Sequence, residues 1–229
     1  MKSDNQDTAY EMLWEKAGTI VTGTVGRPNR EGFTVNIDGL EICLPNRECV
    51  HGQSHNYGDV IKAYLLVAQG NDKEPRMILS RSHPNFIRCL IKAEIPEIAS
   101  DTIEIRAVAR EAGFRTKVAV FTATKGIEPV KVCIGPNAEH LQNLKKEIGN
   151  ERIDFVRWSE NPQVYAQRAL RYYDFSSVTI DMENKTIYVG VQKTDLNKVI
   201  GKKGQNIRLA TRLTGWNLKA SAQERPNPE

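Results

Sequence analysis

One order of elements occurs twice in the C-terminal part of this 229-residue chain. That repeat limits the available folds more than any other feature. Each copy has a helical segment, two strand-like segments, a helix, a glycine turn, a second helix and a last strand. The first copy contains NFIRCLIKAEI, TIEIRAVAREA, RTKVAVFTA, VKVCIGPNAEHLQNLKKEIG and RIDFVRW. The second contains NPQVYAQRALRYY, SSVTIDMENKTIYVGV, TDLNKVIGKKGQNIRLATRLTG and WNLKA. Laid on one another, Ile134-Gly135-Pro136-Asn137-Ala138 meets Ile200-Gly201-Lys202-Lys203-Gly204. Leu141 meets Ile207, Leu144 meets Ala210, and Gly149 meets Gly215. Shared apolar positions, shared turn glycines and a shared element order predict the tandem duplication of a small α+β unit.

Ahead of the repeat, residues 18–80 read as all-β. GTIVTGTVGR, GFTVNIDGLEICLP, DVIKAYLLVA and RMILSRS supply five short strands, with Asp38-Gly39 as a hairpin turn and GNDKEP as a second turn. Five strands in so short a unit suit a closed barrel of the OB type, because half a sandwich would expose its edges. Ser82 is placed to cap the helix that follows, with Pro84 in its first turn, and Pro96 ends or bends that helix. The expected organisation is therefore an α+β multidomain chain. It has an N-terminal segment over 1–17, the barrel over 18–81, repeat units over 82–160 and 161–220, and a polar, proline-containing disordered tail over 221–229.

The glycine turn of the second copy carries the chemistry. In VIGKKGQNIRL, Gly201 permits a sharp bend where a side chain would clash, and Gly204 removes bulk at the start of the next helix. The first backbone N–H groups of a helix lack intrahelical partners and sit at its positive dipole end, so they favour phosphate. Lys202 and Lys203 add two full charges. Gln205, Asn206, Arg208 and Arg212 follow, and residues 199–220 contain no Asp or Glu. Such a turn holds a nucleic-acid backbone rather than reading bases. A lone G-x-x-G motif is weak and fits an ordinary helical corner, but within the duplicated order it points to a KH domain. The first copy is plainer: Gly135 remains, Pro136 and Asn137 stand where the lysines are, and Ala138 replaces the second glycine. Ala138 is expected to cost little inside a helix. Lys125, Lys131, Lys145 and Lys146 offer charge nearby.

In the barrel, Arg27, Arg30, Phe33, His51 and Tyr57 form a candidate aromatic and basic face for single strands, although Phe33 equally suits a core position. Arg171, Tyr172 and Tyr173 are candidates of the same kind, the tyrosines better suited to packing. Cys43, Cys49, His51 and His55 lie close in sequence but lack the short paired spacings of zinc sites, so no metal or other cofactor is expected. The four cysteines are expected as free thiols of a reducing compartment. The net charge of +4 is a weak indication by itself, and no apolar run is long enough to span a bilayer. A monomeric cytoplasmic protein without a signal segment is expected, making no membrane contact. Neither a phosphate-binding P-loop nor a Ser-His-Asp grouping is present, which argues against an enzyme.

IVTGTV, IKAYLLVA, ILSRSHPNFIRCLIKAEIPEI, IEIRAVARE, CIGPN, RIDFVRWSENP and IGKKGQNIRLATRLTGWNL together resemble the RNA-binding region of the NusA family of bacterial transcription elongation factors. The resemblance runs from about Gly18 to Leu218. It implies an S-one type OB barrel followed by two tandem type II KH domains, which bind single-stranded nascent RNA. It also implies modulation of RNA polymerase pausing, termination and antitermination, with RNA polymerase and other transcription factors as partners. By the same resemblance, Gly201 to Gly204 carry over as an RNA-contacting turn, and Gly135 to Ala138 as a second. Family members usually begin with a sizeable polymerase-docking domain, whereas about seventeen residues precede the barrel here. The other reading is an RNA-binding accessory module of an RNA-processing or degradation complex.

Overall fold

The computed structural model describes residues 2–69 and 75–223. The second barrel turn, GNDKEP, and the end of the tail fall largely outside these residues. The chain divides into two compact units. One comprises residues 1–94, 112–114 and 142–151, and the other comprises residues 95–111, 115–141 and 152–229.

The first unit opens with α1 (Lys2–Glu15), a helix within the segment that the sequence left unassigned. Leu13 joins the barrel core and Trp14 packs against it, which anchors the end of this helix. The barrel strands are β1 (Ile20–Pro28), β2 (Gly32–Ile37), β3 (Leu40–Pro45), β4 (Val60–Gln69) and β5 (Pro75–Ser80). They close in the order β1-β2-β3-β5-β4. Alternation along β1 buries Val21 and Val25 and exposes Thr22 and Thr24, so one face of each strand fills the interior. Val35, Ile37, Ile42, Leu44, Leu65 and Leu79 complete that core. Asp38 (φ 51°) and Gly39 (φ 89°) both adopt the left-handed conformation of the expected hairpin turn.

Helix α2 (Pro84–Glu94) follows, burying Phe86, Ile87, Leu90 and Ile91 on one face. Its cap differs from expectation. The Ser82 hydroxyl donates to the Glu48 carboxylate (2.9 Å), and His83 Nδ1 accepts the Asn85 N–H (3.1 Å) in its place. Pro96 does interrupt the helix and starts the short α3 (Pro96–Ala99).

The second unit holds both three-stranded sheets. β6 (Glu104–Glu111), β7 (Arg115–Phe121) and β8 (Arg152–Arg157) form one in sequential order, with β7 and β8 parallel. Between β7 and β8 run α4 (Pro129–Ile134), a one-turn segment at Pro136–Ala138, and α5 (Glu139–Ile148). The pattern then repeats. Helix α6 (Pro162–Leu170) is capped by Asn161, whose side chain accepts the Val164 N–H, and leads to β9 (Ser177–Asp181) and β10 (Thr186–Val191). Then come α7 (Leu196–Ile200), a turn at Lys202–Gly204, α8 (Gln205–Thr214) and β11 (Asn217–Ala222), which pairs parallel to β10. β11 runs through Ser221 and Ala222, so those two residues belong to the sheet and not to the expected tail.

β7 is buried from Thr116 to Val120, so both of its faces are covered. On one face, Ala109, Ala119 and Val156 of the first sheet join Ala166, Ala169, Leu209, Ala210 and Leu213 from α6 and α8 in a single core. Small residues on both sides let helix and sheet approach closely. The parts of both repeats that lie in this unit thus share a common core.

Candidate nucleic-acid interface

The second glycine turn is built by backbone conformation first. Gly201 ends α7 at φ 78°, ψ 169° and donates its N–H to the Asn197 carbonyl (2.8 Å). A Cβ there would stand 2.7 Å from the Asn206 Cβ, so glycine is required on space as well as on conformation. Lys203 takes φ 52°, Gly204 takes φ 73°, and the Gly204 N–H closes the turn onto the Gly201 carbonyl (3.0 Å). At Gly204 a Cβ would meet only the Arg208 guanidinium at 3.7 Å, so conformation rather than bulk demands glycine at this position. Lys202 and Lys203 are exposed at the start of α8, where helix dipole and ammonium charge reinforce one another.

The first turn repeats this backbone nearly degree for degree. Gly135 lies at φ 77°, ψ 168°, and Asn137 at φ 49°, ψ 27° against 52° and 29° for Lys203. Pro136 and Asn137 are exposed. Ala138 does not sit inside a helix as its sequence suggested: it holds φ 60°, the left-handed position taken by Gly204 in the other copy. It therefore bears steric strain that glycine would not.

The remaining candidates divide by placement. Arg212 is exposed. Asn206 is only 3% exposed, and its amide donates to the carbonyls of Leu170 and Val199 (3.0 Å each). It ties the start of α8 to the ends of α6 and α7 and presents nothing to solvent. Arg208 pairs with Glu111 (2.7 Å) and also donates to the Lys203 carbonyl (3.0 Å), while Gln205 donates to the same Glu111 (2.9 Å). The hydrogen bond from Arg208 is the largest influence holding the Glu111 carboxyl below its usual range. Glu111 on β6, which the sequence did not single out, thus positions the helix that follows the turn.

In the barrel unit, Arg27 and Arg30 are exposed. Phe33 packs against the barrel core, its ring edge-on to His55 at 5.8 Å. His51 stacks on Phe114 at 5.7 Å and 13°, and Tyr57 stands 75% exposed. All four cysteines are free, and no metal-holding group of His, Cys, Asp or Glu occurs among the described residues. No helix among the described residues is long and apolar enough to cross a membrane.

A second charged cluster was not legible in the sequence. Strand register sets Arg115 beside Arg152 and Lys117 beside Asp154. The Asp154 carboxylate, 1% exposed, receives Arg115 (2.5 Å), Arg171 (2.7 Å), Arg152 (3.4 Å) and Lys117 (3.8 Å). Lys117 is wholly buried and donates to the Ala169 carbonyl (2.6 Å). Burial pushes its ammonium down to about 7, with the three arginines adding to the effect and Asp154 opposing it. Burial works to raise the Asp154 carboxyl, but the Arg115 hydrogen bond and the surrounding cations outweigh it and hold the group low.

A closed five-stranded barrel followed by two αββααβ units, each with a left-handed turn between paired helices, defines the class: an S-one type barrel with two type II KH domains, an architecture of RNA-binding proteins. The NusA-like first KH domain family matches residues 81–158, and the NusA-like second KH domain family matches residues 162–227. The chain is similar to proteins named transcription termination/antitermination protein NusA. It is 38% identical to that of Halalkalibacterium halodurans over 93% of this chain and 56% of the relative. For Thermus thermophilus the identity is 35% over 95% and 57%. For Mycobacterium tuberculosis it is 36% over 99% and 67%. The chain belongs to the NusA family, a family of transcription factors rather than enzymes. It spans a little over half the length of the first two of these relatives (56% and 57%).

Proposed function

We propose that this chain holds single-stranded nascent RNA by its sugar-phosphate backbone, and that it thereby modulates pausing, termination and antitermination by RNA polymerase in the cytoplasm. The observation that carries this reading is the Gly201–Gly204 turn. Its backbone bends into the start of α8, it is free of side-chain bulk at its two glycines, and it carries two exposed lysines between them. The Gly135–Ala138 turn has the same backbone with no charge of its own, so it serves as the weaker of two contacts. In this reading residues 18–81 act as the barrel, and residues 82–160 and 161–220 as the two KH domains of a monomer. RNA polymerase and other transcription factors are the protein partners, in keeping with the name of the relatives.

Fluorescence anisotropy with a labelled single strand, titrated at several salt concentrations, tests the RNA contact. Affinity should fall with a log–log slope of about −0.7 per neutralised phosphate. The double variant Lys202→Asp/Lys203→Asp should bind at least tenfold more weakly with an unchanged melting temperature, because both side chains are exposed. A flat salt response, or a variant within twofold of the parent, would overturn the reading.

A further inference from the structure

The Asp154 cluster lies beside the turn just described. Glu111, which holds Gln205 and Arg208 at the start of α8, pairs in register with Arg115, and Arg115 pairs in register with Arg152. These three residues therefore form one row across the end of the sheet, with neighbours about 5 Å apart. From the other side, Asn206 grips the Leu170 carbonyl, and Leu170 is followed by Arg171, whose guanidinium reaches Asp154. The row and the helix end thus close around one edge of α8.

The charge there does not balance. One carboxylate faces three guanidiniums and an ammonium. A carboxylate offers about four lone-pair sites, whereas each guanidinium carries five N–H donors. Arg115 is 16% exposed, while Arg152 and Arg171 are 63% and 55% exposed. Asp154 thus holds Arg115 inside the sheet end, while it fixes one side of the Arg152 and Arg171 forks and leaves the rest of those two facing solvent. Arginines held in this way are prepared for a tetrahedral oxyanion, since little side-chain freedom remains to be lost on binding.

We propose that Arg152 and Arg171, held by Asp154 beside the largely buried Arg115, form a second phosphate subsite for the RNA strand whose backbone lies on the Gly201–Gly204 turn. The inference rests on the proposed RNA contact and extends it from one turn to a track that continues onto the end of the first sheet. Asp154 is a positioning residue and does not itself meet the RNA.

The test is anisotropy on the full chain with Arg152→Gln/Arg171→Gln, beside the parent and Lys202→Asp/Lys203→Asp. The subsite predicts about tenfold weaker binding of a single strand for the glutamine variant, with a log–log salt slope shallower by about 0.7, the loss of one phosphate. If that double variant fails to fold, Arg152→Gln alone carries the test, with about threefold weaker binding. An Arg152→Gln/Arg171→Gln chain that folds, binds within twofold of the parent and keeps its salt slope overturns the subsite. That result would point to a latch within the unit or a contact for an acidic protein segment. If it occurs while Lys202→Asp/Lys203→Asp weakens binding, the RNA contact at the turn stands and only the subsite falls. A parent chain without affinity for single strands overturns both.

Discussion

Replacing Ala138 with glycine should make the protein more stable, although it removes a methyl group and adds chain freedom. Ala138 holds φ 60°, and its counterpart Gly204 holds φ 73°. An L-residue in the left-handed region loses roughly 1–2 kcal/mol to the clash of its Cβ with the carbonyl oxygen that follows. Glycine removes that clash but gains freedom in the unfolded chain, which returns roughly 0.5–1 kcal/mol. The net expectation is a stabilisation of about 0.5–1 kcal/mol, read as a higher urea midpoint at an unchanged m-value. In a chain of this size it corresponds to a rise in Tm of about 1–4 °C. Gly204→Ala is the mirror experiment. A methyl group there has room, with its nearest neighbour at 3.7 Å, so the loss isolates backbone strain from crowding. It should lower stability by a similar amount. If Ala138→Gly lowers the midpoint, or if both variants shift it the same way, the strain assigned to the first turn is refuted.

Three further outcomes follow from the cores around the turn. Asp154→Asn should destabilise by about 3–5 kcal/mol, because it leaves the largely buried Arg115, which cannot shed its proton, without its counter-charge; a loss below 1 kcal/mol in chemical denaturation would contradict the cluster. Lys117 binds a proton less readily folded (about 7) than unfolded (10.5), so stability should rise between pH 7 and pH 10. Lys117→Met should flatten that rise, and parallel urea-midpoint profiles for the two proteins would exclude the shift. Asn206→Ala leaves the Leu170 and Val199 carbonyls without their donor and should destabilise by about 2 kcal/mol while also weakening RNA binding; unchanged stability would show that the amide is dispensable.

Much of the architecture was legible because its causes are local. Alternation in GTIVTGTVGR gives a barrel strand, and glycines at the same offset in two segments give two turns with matching dihedral angles. What escaped the sequence depends on register and burial. Asn206 reads as one more polar residue in a basic stretch, yet burial turns it into a brace. Arg208 reads as a free cation, yet its partner Glu111 lies 97 residues away. Arg115, Lys117, Arg152 and Asp154 become one cluster only when β7 and β8 are paired in parallel, and nothing in either strand alone fixes that pairing. Ser82 was a reasonable cap by residue type, but Glu48 claims its hydroxyl and the neighbouring His83 ring takes over.

The most direct measurement is photocrosslinking of the full chain to a short single strand carrying 4-thiouridine at each position in turn, with crosslinked peptides mapped by mass spectrometry. Crosslinks should concentrate in peptides covering residues 199–212 and fall in Lys202→Asp/Lys203→Asp. Crosslinks that avoid those peptides and persist in the variant would contradict the claim that the lysine-bearing turn grips the strand.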